Sequence, residues 1–154
     1  MSLTTTSQPK QFKLGIIAST GLDDPDFLPE LVGPHLTAVS HIYTNGANKL
    51  VACFAASSGI PCTIFPLTSR SLPWSTSMIL DNVDFVYIIA DPDSKSAAQV
   101  EADCIKRKVK HKMIPYSPFT HWQEKVCKVA EILYATPKET IEANETLRAI
   151  WRVV

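Results

Sequence analysis

Residues 84–90, DFVYIIA, give the strongest strand signal in the chain, and the apolar run ends abruptly at Asp91-Pro92-Asp93. A short apolar run rich in β-branched and aromatic residues predicts a strand buried on both faces. Ser94 follows as a candidate N-cap, and residues 95–109, KSAAQVEADCIKRKV, carry apolar residues at helical spacing. This part of the chain therefore predicts one strand–loop–helix unit of a parallel sheet.

The same alternation of strands and helices extends in both directions from this unit. Further strands are predicted at residues 12–19, 39–44, 60–67 and 112–116, and helices at residues 25–32, 49–58, 73–82, 120–134 and 136–151. Strands that alternate with helices form parallel sheets through right-handed crossovers. The expected fold class is thus α/β, a three-layer Rossmann-like sandwich with a five-stranded parallel sheet and two extra C-terminal helices. Residues 1–11 are expected to be a disordered arm, and residues 12–154 a single domain.

Composition and charge limit the classes of function that the sequence supports. Of 154 residues, 45% are hydrophobic and 19% are charged, and 15 Lys and Arg balance 15 Asp and Glu. A neutral protein lacks the positive field that grips a phosphate backbone, so nucleic acid is not an expected partner. The basic run at residues 106–112, KRKVKHK, is instead interpreted as a solvated helix end, where cations favour the helix dipole.

Location and metal binding are also addressed by the sequence. No apolar run approaches the roughly 20 residues that span a bilayer, and residues 1–13 are polar, which is atypical of a signal peptide. A cytoplasmic protein without membrane contact is therefore expected. The four Cys and four His show no metal-ligand spacing, so neither a metal nor a cofactor is predicted.

Four loops at the carboxyl ends of the predicted strands are rich in Ser, Thr, Asn and Gly. Ligands of doubly wound sheets bind beyond these strand ends, where hydroxyls, amides and helix N-termini suit phosphate and ribose. The same residue types also make ordinary caps and turns. Residues 68–74 are expected to act as a lid or base contact. The ligand-binding residues predicted from these loops are Ser19, Thr20, Gly21, Thr44, Asn45, Gly46, Ala47, Trp74, Asp91, Ser94 and Ser96.

Several of these segments resemble a known superfamily. Residues 44–52, TNGANKLVA, and residues 55–61, AASSGIP, resemble the GGARGADRLA…AA…GIP segment of the SLOG superfamily. Residues 78–86, MILDNVDFV, resemble its RNxxMVDxADLVIA motif, and residues 94–100, SKSAAQV, fall where it has S-x-GT and the next helix. The superfamily includes YspA-like proteins, LOG phosphoribohydrolases and the DNA-processing protein DprA. The resemblance covers about residues 12–117.

The resemblance implies a small protein that holds a nucleotide or nucleotide derivative at the carboxyl edge of its sheet. It also implies that Ser75 and Thr76 are ligand-binding residues, because they stand where many members have an Arg-Asn pair that faces the ligand. The chain has neither the G-x-G-x-x-G pattern of dinucleotide enzymes nor the P-loop motif. One alternative is a LOG-like nucleoside-monophosphate phosphoribohydrolase, with Glu101 as the candidate carboxylate. The other is a non-catalytic interaction protein that has lost the ligand site, because Asn45, Ser75 and Ala97 depart from the motifs. Aromatic residues on the last two predicted helices lead us to expect a homodimer through those helices.

Overall fold

The computed structural model describes residues 11–67, 72–135 and 149. The chain divides between Tyr116 and Ser117 into two compact units. In the first unit the strands are β1 (Phe12–Ala18), β2 (Val39–Thr44), β3 (Cys62–Ile64), β4 (Phe85–Ala90) and β5 (Lys110–Pro115). Its helices are α1 (Phe27–Val32), a 3-10 helix (Gly33–Ala38), α2 (Lys49–Ser57), α3 (Leu72–Asn82) and α4 (Lys95–Arg107), and the second unit contains α5 (Pro118–Ala135).

The five strands form one parallel sheet in the order β3-β2-β1-β4-β5. This confirms the predicted Rossmann-like α/β fold. Strands β2 and β3 lie on one side of β1, and β4 and β5 lie on the other, so the strand order reverses between β1 and β4. The register there pairs Gly15 with Val86 and Ala18 with Ile89. In open parallel sheets this switch point is where the loops diverge and leave a crevice.

Each face of the sheet has its own apolar core, which explains why the strands read as continuous apolar runs. On β1, Leu14 and Ile16 lie in the core beneath α1 and α2, which we call the α1/α2 face. Ile17 lies in the opposite core, which contains residues of α3 and α4 and which we call the α3/α4 face. Helices therefore cover both faces, as the three-layer prediction requires.

Gly15 allows α3 to approach the sheet closely. A Cβ atom at Gly15 would lie 2.9 Å from Cγ2 of Val86 and 3.1 Å from Cγ2 of Ile79. Both neighbours are fully buried in the core of the α3/α4 face, so neither has free space into which to move. The absence of a side chain at this position on β1 thus sets the distance between the sheet and α3.

Some element boundaries differ from the sequence prediction. Helix α1 ends at Val32, as the prediction of a helix at residues 25–32 requires, but the chain continues from Gly33 as a 3-10 helix that was not predicted, because proline fits a first helical turn. Strand β5 begins at Lys110 rather than at residue 112. Its first residues are polar and alternate between exposed and half-buried positions, so they lack the apolar run used to predict the other strands. Strand β3 is only three residues long, between Pro61 and Pro66.

The second unit is described for α5 alone, which agrees with the helix predicted at residues 120–134. Leu133 is its buried residue. The last predicted helix, at residues 136–151, lies outside the described residues except for Ala149, which is helical. No described helix combines the length and the apolar content needed to cross a membrane.

Candidate functional site

A cavity of about 220 Å³ opens at the switch point between β1 and β4. It brings together residues from five of the chain's segments: the ends of β1 and β4, the loops after β2 and β3, and the start of α4. Its described lining residues are Ile17, Ala18, Ser19, Asn45, Ala47, Leu67, Ile88, Ile89, Ala90, Ser94, Ser96, Ala97 and Val100. Five of the predicted ligand-binding residues are therefore in the lining: Ser19, Asn45, Ala47, Ser94 and Ser96.

Asn48 connects two of the loops that surround the cavity. Its side-chain Nδ2 donates hydrogen bonds of 2.7 Å to the carbonyl oxygens of Ser19 and Leu22 in the loop after β1. Its Oδ1 accepts a 2.9 Å hydrogen bond from the backbone N–H of Leu50 and so caps α2. Sequence reasoning assigned Asn48 no role, although an Asn directly before a helix is a typical N-cap signal. The buried amide holds the loop after β1 against the start of α2.

The loop after β2 is shaped by Asn45 and Gly46. Asn45 is 5% exposed, and its Oδ1 accepts a 2.9 Å hydrogen bond from the backbone N–H of Ala47. This side chain–backbone turn presents both residues to the cavity. Gly46 has a φ of 75°, and a Cβ there would lie 2.9 Å from Cγ2 of Ile64. Gly46 is exposed and is not a lining residue, so the structure indicates that it makes the turn.

Thr44, the last residue of β2, is 1% exposed. Its Oγ1 has no hydrogen-bond partner among the described residues. A buried hydroxyl without a partner is unfavourable by about 1–3 kcal/mol. Thr44 is not a lining residue of the cavity, although the next residue, Asn45, is.

Ser94 begins α4 at the rim of the cavity. Its Oγ accepts a 3.2 Å hydrogen bond from the backbone N–H of Ala97, and its own N–H donates to the carbonyl of Asp91 at 2.9 Å. The Asp91 carboxylate accepts a 2.9 Å hydrogen bond from the N–H of Asp93, which closes the turn before the helix. Asp91 and Asp93 are both exposed. The positive end of the α4 dipole therefore faces the cavity rim. The two carboxylates of Asp91 and Asp93 directly precede this helix in the chain.

The remaining predicted residues lie elsewhere. Thr20 and Gly21 form a turn after β1 that does not line the cavity. On α3, Ser75 and Thr76 are buried, and the Ser75 hydroxyl donates to the carbonyl oxygen of Phe65. Trp74 is 44% exposed, and its ring meets that of Phe65 edge to face at 6.1 Å. Residues 68–71 of the predicted lid lie outside the described residues.

Glu101, the candidate carboxylate for hydrolysis, is half-buried in α4 and does not line the cavity. Its Oε2 lies 3.6 Å from Nε2 of His111 on β5. None of the cavity's described lining residues has an ionisable side chain. Elsewhere in the described part of the chain, no three His, Cys, Asp or Glu side chains gather closely enough to hold a metal ion.

Tyr116, directly after β5, fixes the loop that follows β1. Its hydroxyl donates to the Asp23 carboxylate, and its ring meets Phe27 edge to face at 5.0 Å. Burial, followed by this hydrogen bond, raises the pKa of Tyr116 to about 12. Asp24 is also buried, and its carboxylate accepts a 3.0 Å hydrogen bond from the N–H of Asp26. These contacts hold the β1 loop in place without contributing a charge to the cavity lining.

Comparisons with known proteins do not assign the chain to a family. No protein-family model matches it, and no curated protein sequence matches it significantly. The resemblance to the SLOG superfamily stays a prediction that depends on the residues quoted above.

Proposed function

We propose that this protein binds a nucleotide or nucleotide derivative at the carboxyl edge of its sheet, in the manner of the SLOG superfamily. The observation that carries the proposal is the position of the cavity at the strand-order reversal between β1 and β4. In doubly wound sheets this is the point at which nucleotides and related ligands bind. The expectation that the strand ends converge is supported by Ser19, Asn45 and Ser94, which come from three different loops and line one cavity.

Polar groups around the cavity rim are suited to the ribose and phosphate oxygens of such a ligand. Ser94 and Ser96 carry hydroxyls at the start of α4, where backbone N–H groups also point out of the helix. Asn45 adds a side-chain amide from the loop after β2. Groups of this kind are suited to hydrogen bonds with the oxygens of a ribose and of a phosphate that stays at the rim.

The residues of the site favour binding of the ligand without its hydrolysis. Cleavage of an N-glycosidic bond requires a carboxylate beside the ribose. The described lining has no carboxylate, and Glu101 faces His111 instead. We therefore propose binding without catalysis. The LOG-like hydrolase and the interaction protein without a ligand site remain the alternatives that experiment should separate.

The proposal can be tested with AMP as the probe. A ligand present at 100 times its Kd raises the free energy of unfolding by about 2.7 kcal/mol, which a thermal-shift assay detects. We expect AMP to stabilise the protein and no free adenine to be released during incubation. Ser96→Tyr should weaken binding by blocking the cavity rim, whereas Gln99→Tyr, on the exposed part of α4 outside the lining, should not.

Release of adenine would indicate the hydrolase. A flat thermal response to AMP and to a panel of other nucleotides would contradict ligand binding and favour the interaction protein.

A further inference from the structure

The lining of the cavity at the switch point is divided between buried apolar residues and polar loop residues. Ile17, Ile88, Ala97 and Val100 line it and belong to the buried core of the α3/α4 face. Each of them is at most 7% exposed. The polar lining residues Ser19, Asn45, Ser94 and Ser96 lie in loops or at the start of α4. The cavity therefore extends from a polar rim into the space between the sheet and α4.

This division between apolar and polar lining residues determines which part of a ligand can enter the cavity. A charged phosphate placed between Ile88 and Val100 would lose its hydration and meet no cationic side chain among the described lining residues. Burial of an unpaired charge is strongly unfavourable, whereas burial of an aromatic ring is favourable. The part of the ligand that enters the cavity is thus uncharged and largely apolar.

The size of the cavity indicates the size of the enclosed group. An apolar protein cavity of about 150 Å³ holds one benzene ring. The cavity described here is about 220 Å³, which leaves room for a second fused ring but not for a complete nucleotide. Pockets that enclose larger ligands usually measure about 300–1,000 Å³. The sugar and phosphate therefore have to lie outside, over the rim.

The charges at the rim of the cavity favour the same orientation of the ligand. Asp91 and Asp93 are exposed immediately before the N-terminus of α4 and offset the positive end of its dipole. Lys95, the first residue of α4, is also exposed, so a phosphate at this rim meets hydroxyls and backbone N–H groups together with two carboxylates and one ammonium group. The net attraction for a phosphate is consequently small.

We infer that the cavity encloses an uncharged bicyclic heteroaromatic ring, such as a purine, and leaves the phosphate of the ligand in solvent at the rim. This inference rests on the proposed function and specifies its ligand: recognition comes from the ring, and a nucleoside is sufficient for binding. An exposed phosphate contributes little, so adenosine should bind within about fivefold of the affinity of AMP. Affinity for AMP should also change less than about twofold between low and high salt, because the described lining residues include no cationic side chain and the rim charges largely offset one another.

The test compares adenosine, AMP and ribose 5-phosphate by isothermal titration calorimetry. Ala97→Leu adds bulk inside the cavity, and Ala98→Leu makes the same change at an exposed neighbour on α4 that does not line it. We expect adenosine and AMP to bind, ribose 5-phosphate not to bind, and Ala97→Leu alone to weaken adenosine binding at least about tenfold. The salt series on the unaltered protein tests the solvent-exposed phosphate without any variant that has to fold.

The outcomes separate this inference from the function on which it rests. Binding of AMP and ribose 5-phosphate without binding of adenosine, or a steep fall of AMP affinity with salt, overturns the enclosed ring and leaves nucleotide binding intact. Unchanged adenosine binding by a folded Ala97→Leu variant also overturns it. Absence of binding by all three compounds and by the panel of other nucleotides contradicts the proposed function itself.

Discussion

Replacement of Asn48 by Ala should destabilise the protein by more than the loss of one small polar side chain suggests. The change removes two 2.7 Å hydrogen bonds to the carbonyls of Ser19 and Leu22 together with the 2.9 Å cap on the N–H of Leu50. Each hydrogen bond contributes about 0.5–1.5 kcal/mol net, and loss of an Asn N-cap costs about 1 kcal/mol. Because Asn48 is 6% exposed, water cannot easily replace the amide. The expected loss is therefore about 2–4 kcal/mol in the free energy of unfolding.

Urea denaturation followed by tryptophan fluorescence and circular dichroism measures this loss directly. Asn82→Ala is the matched control, since the Asn82 amide makes a single 2.7 Å hydrogen bond to the Met78 carbonyl within its own helix. We expect the control to lose about 1 kcal/mol or less. If Asn48→Ala unfolds at the same urea concentration as Asn82→Ala, the amide does not hold the β1 loop to α2 and the reasoning about this loop is wrong. AMP binding should weaken in Asn48→Ala as well, because Ser19 lines the cavity.

Three further predictions concern stability. Gly15→Ala should lose about 1–3 kcal/mol in urea denaturation by overpacking the sheet against α3, whereas Gly33→Ala, where a Cβ has nothing within 4 Å, should not be destabilised. Lys108→Gly should raise the melting temperature, because Lys108 has a φ of 57° that disfavours L residues by about 1 kcal/mol; an unchanged or lower value would contradict this. The pKa of Tyr116 is raised to about 12 in the folded protein from an ordinary value of 10, so its contribution to stability is complete below pH 10 and is lost as the pH rises towards 12. Tyr116→Phe should show a smaller fall in stability over that range; an equal fall would rule out this tyrosine as its source.

Most of the sheet could be predicted because burial on both faces leaves a clear signal in the sequence. The runs around Ile16 and Ile88 are continuous and apolar, and both became central strands. Strand β5 was placed two residues late because an edge strand tolerates exposed lysines and needs no apolar run. The 3-10 helix after α1 was missed because proline both ends helices and begins them.

The candidate site was less predictable than the sheet. Strand ends can be located in a sequence, so Ser19, Asn45 and Ser94 were correctly placed in loops at one edge. Whether a loop residue faces the cavity depends on turn geometry and on partners far away in the chain. Asn48 illustrates this dependence, because its amide acts on carbonyls 26 and 29 positions earlier. The apolar interior of the cavity likewise depends on how α4 packs on the sheet, which no local pattern in the sequence expresses.

The basic run at residues 106–112 can be explained by the requirements of the fold. Lys106 and Arg107 lie in the last turn of α4, where cations favour the helix dipole. Arg107 also connects α4 to α3 by donating to the Asp81 carboxylate at 2.7 Å and to the Ser77 hydroxyl at 2.6 Å.

Two further lysines of the run are exposed on β5, which is an edge strand of the sheet. The charged side chains of Lys110 and Lys112 discourage another strand from pairing with that edge. The planar guanidinium group of Arg107 is the group of the run best suited to phosphate, and it already forms an ion pair with Asp81. The local accumulation of positive charge therefore follows from a helix end joined directly to an edge strand, and it does not require a nucleic-acid partner.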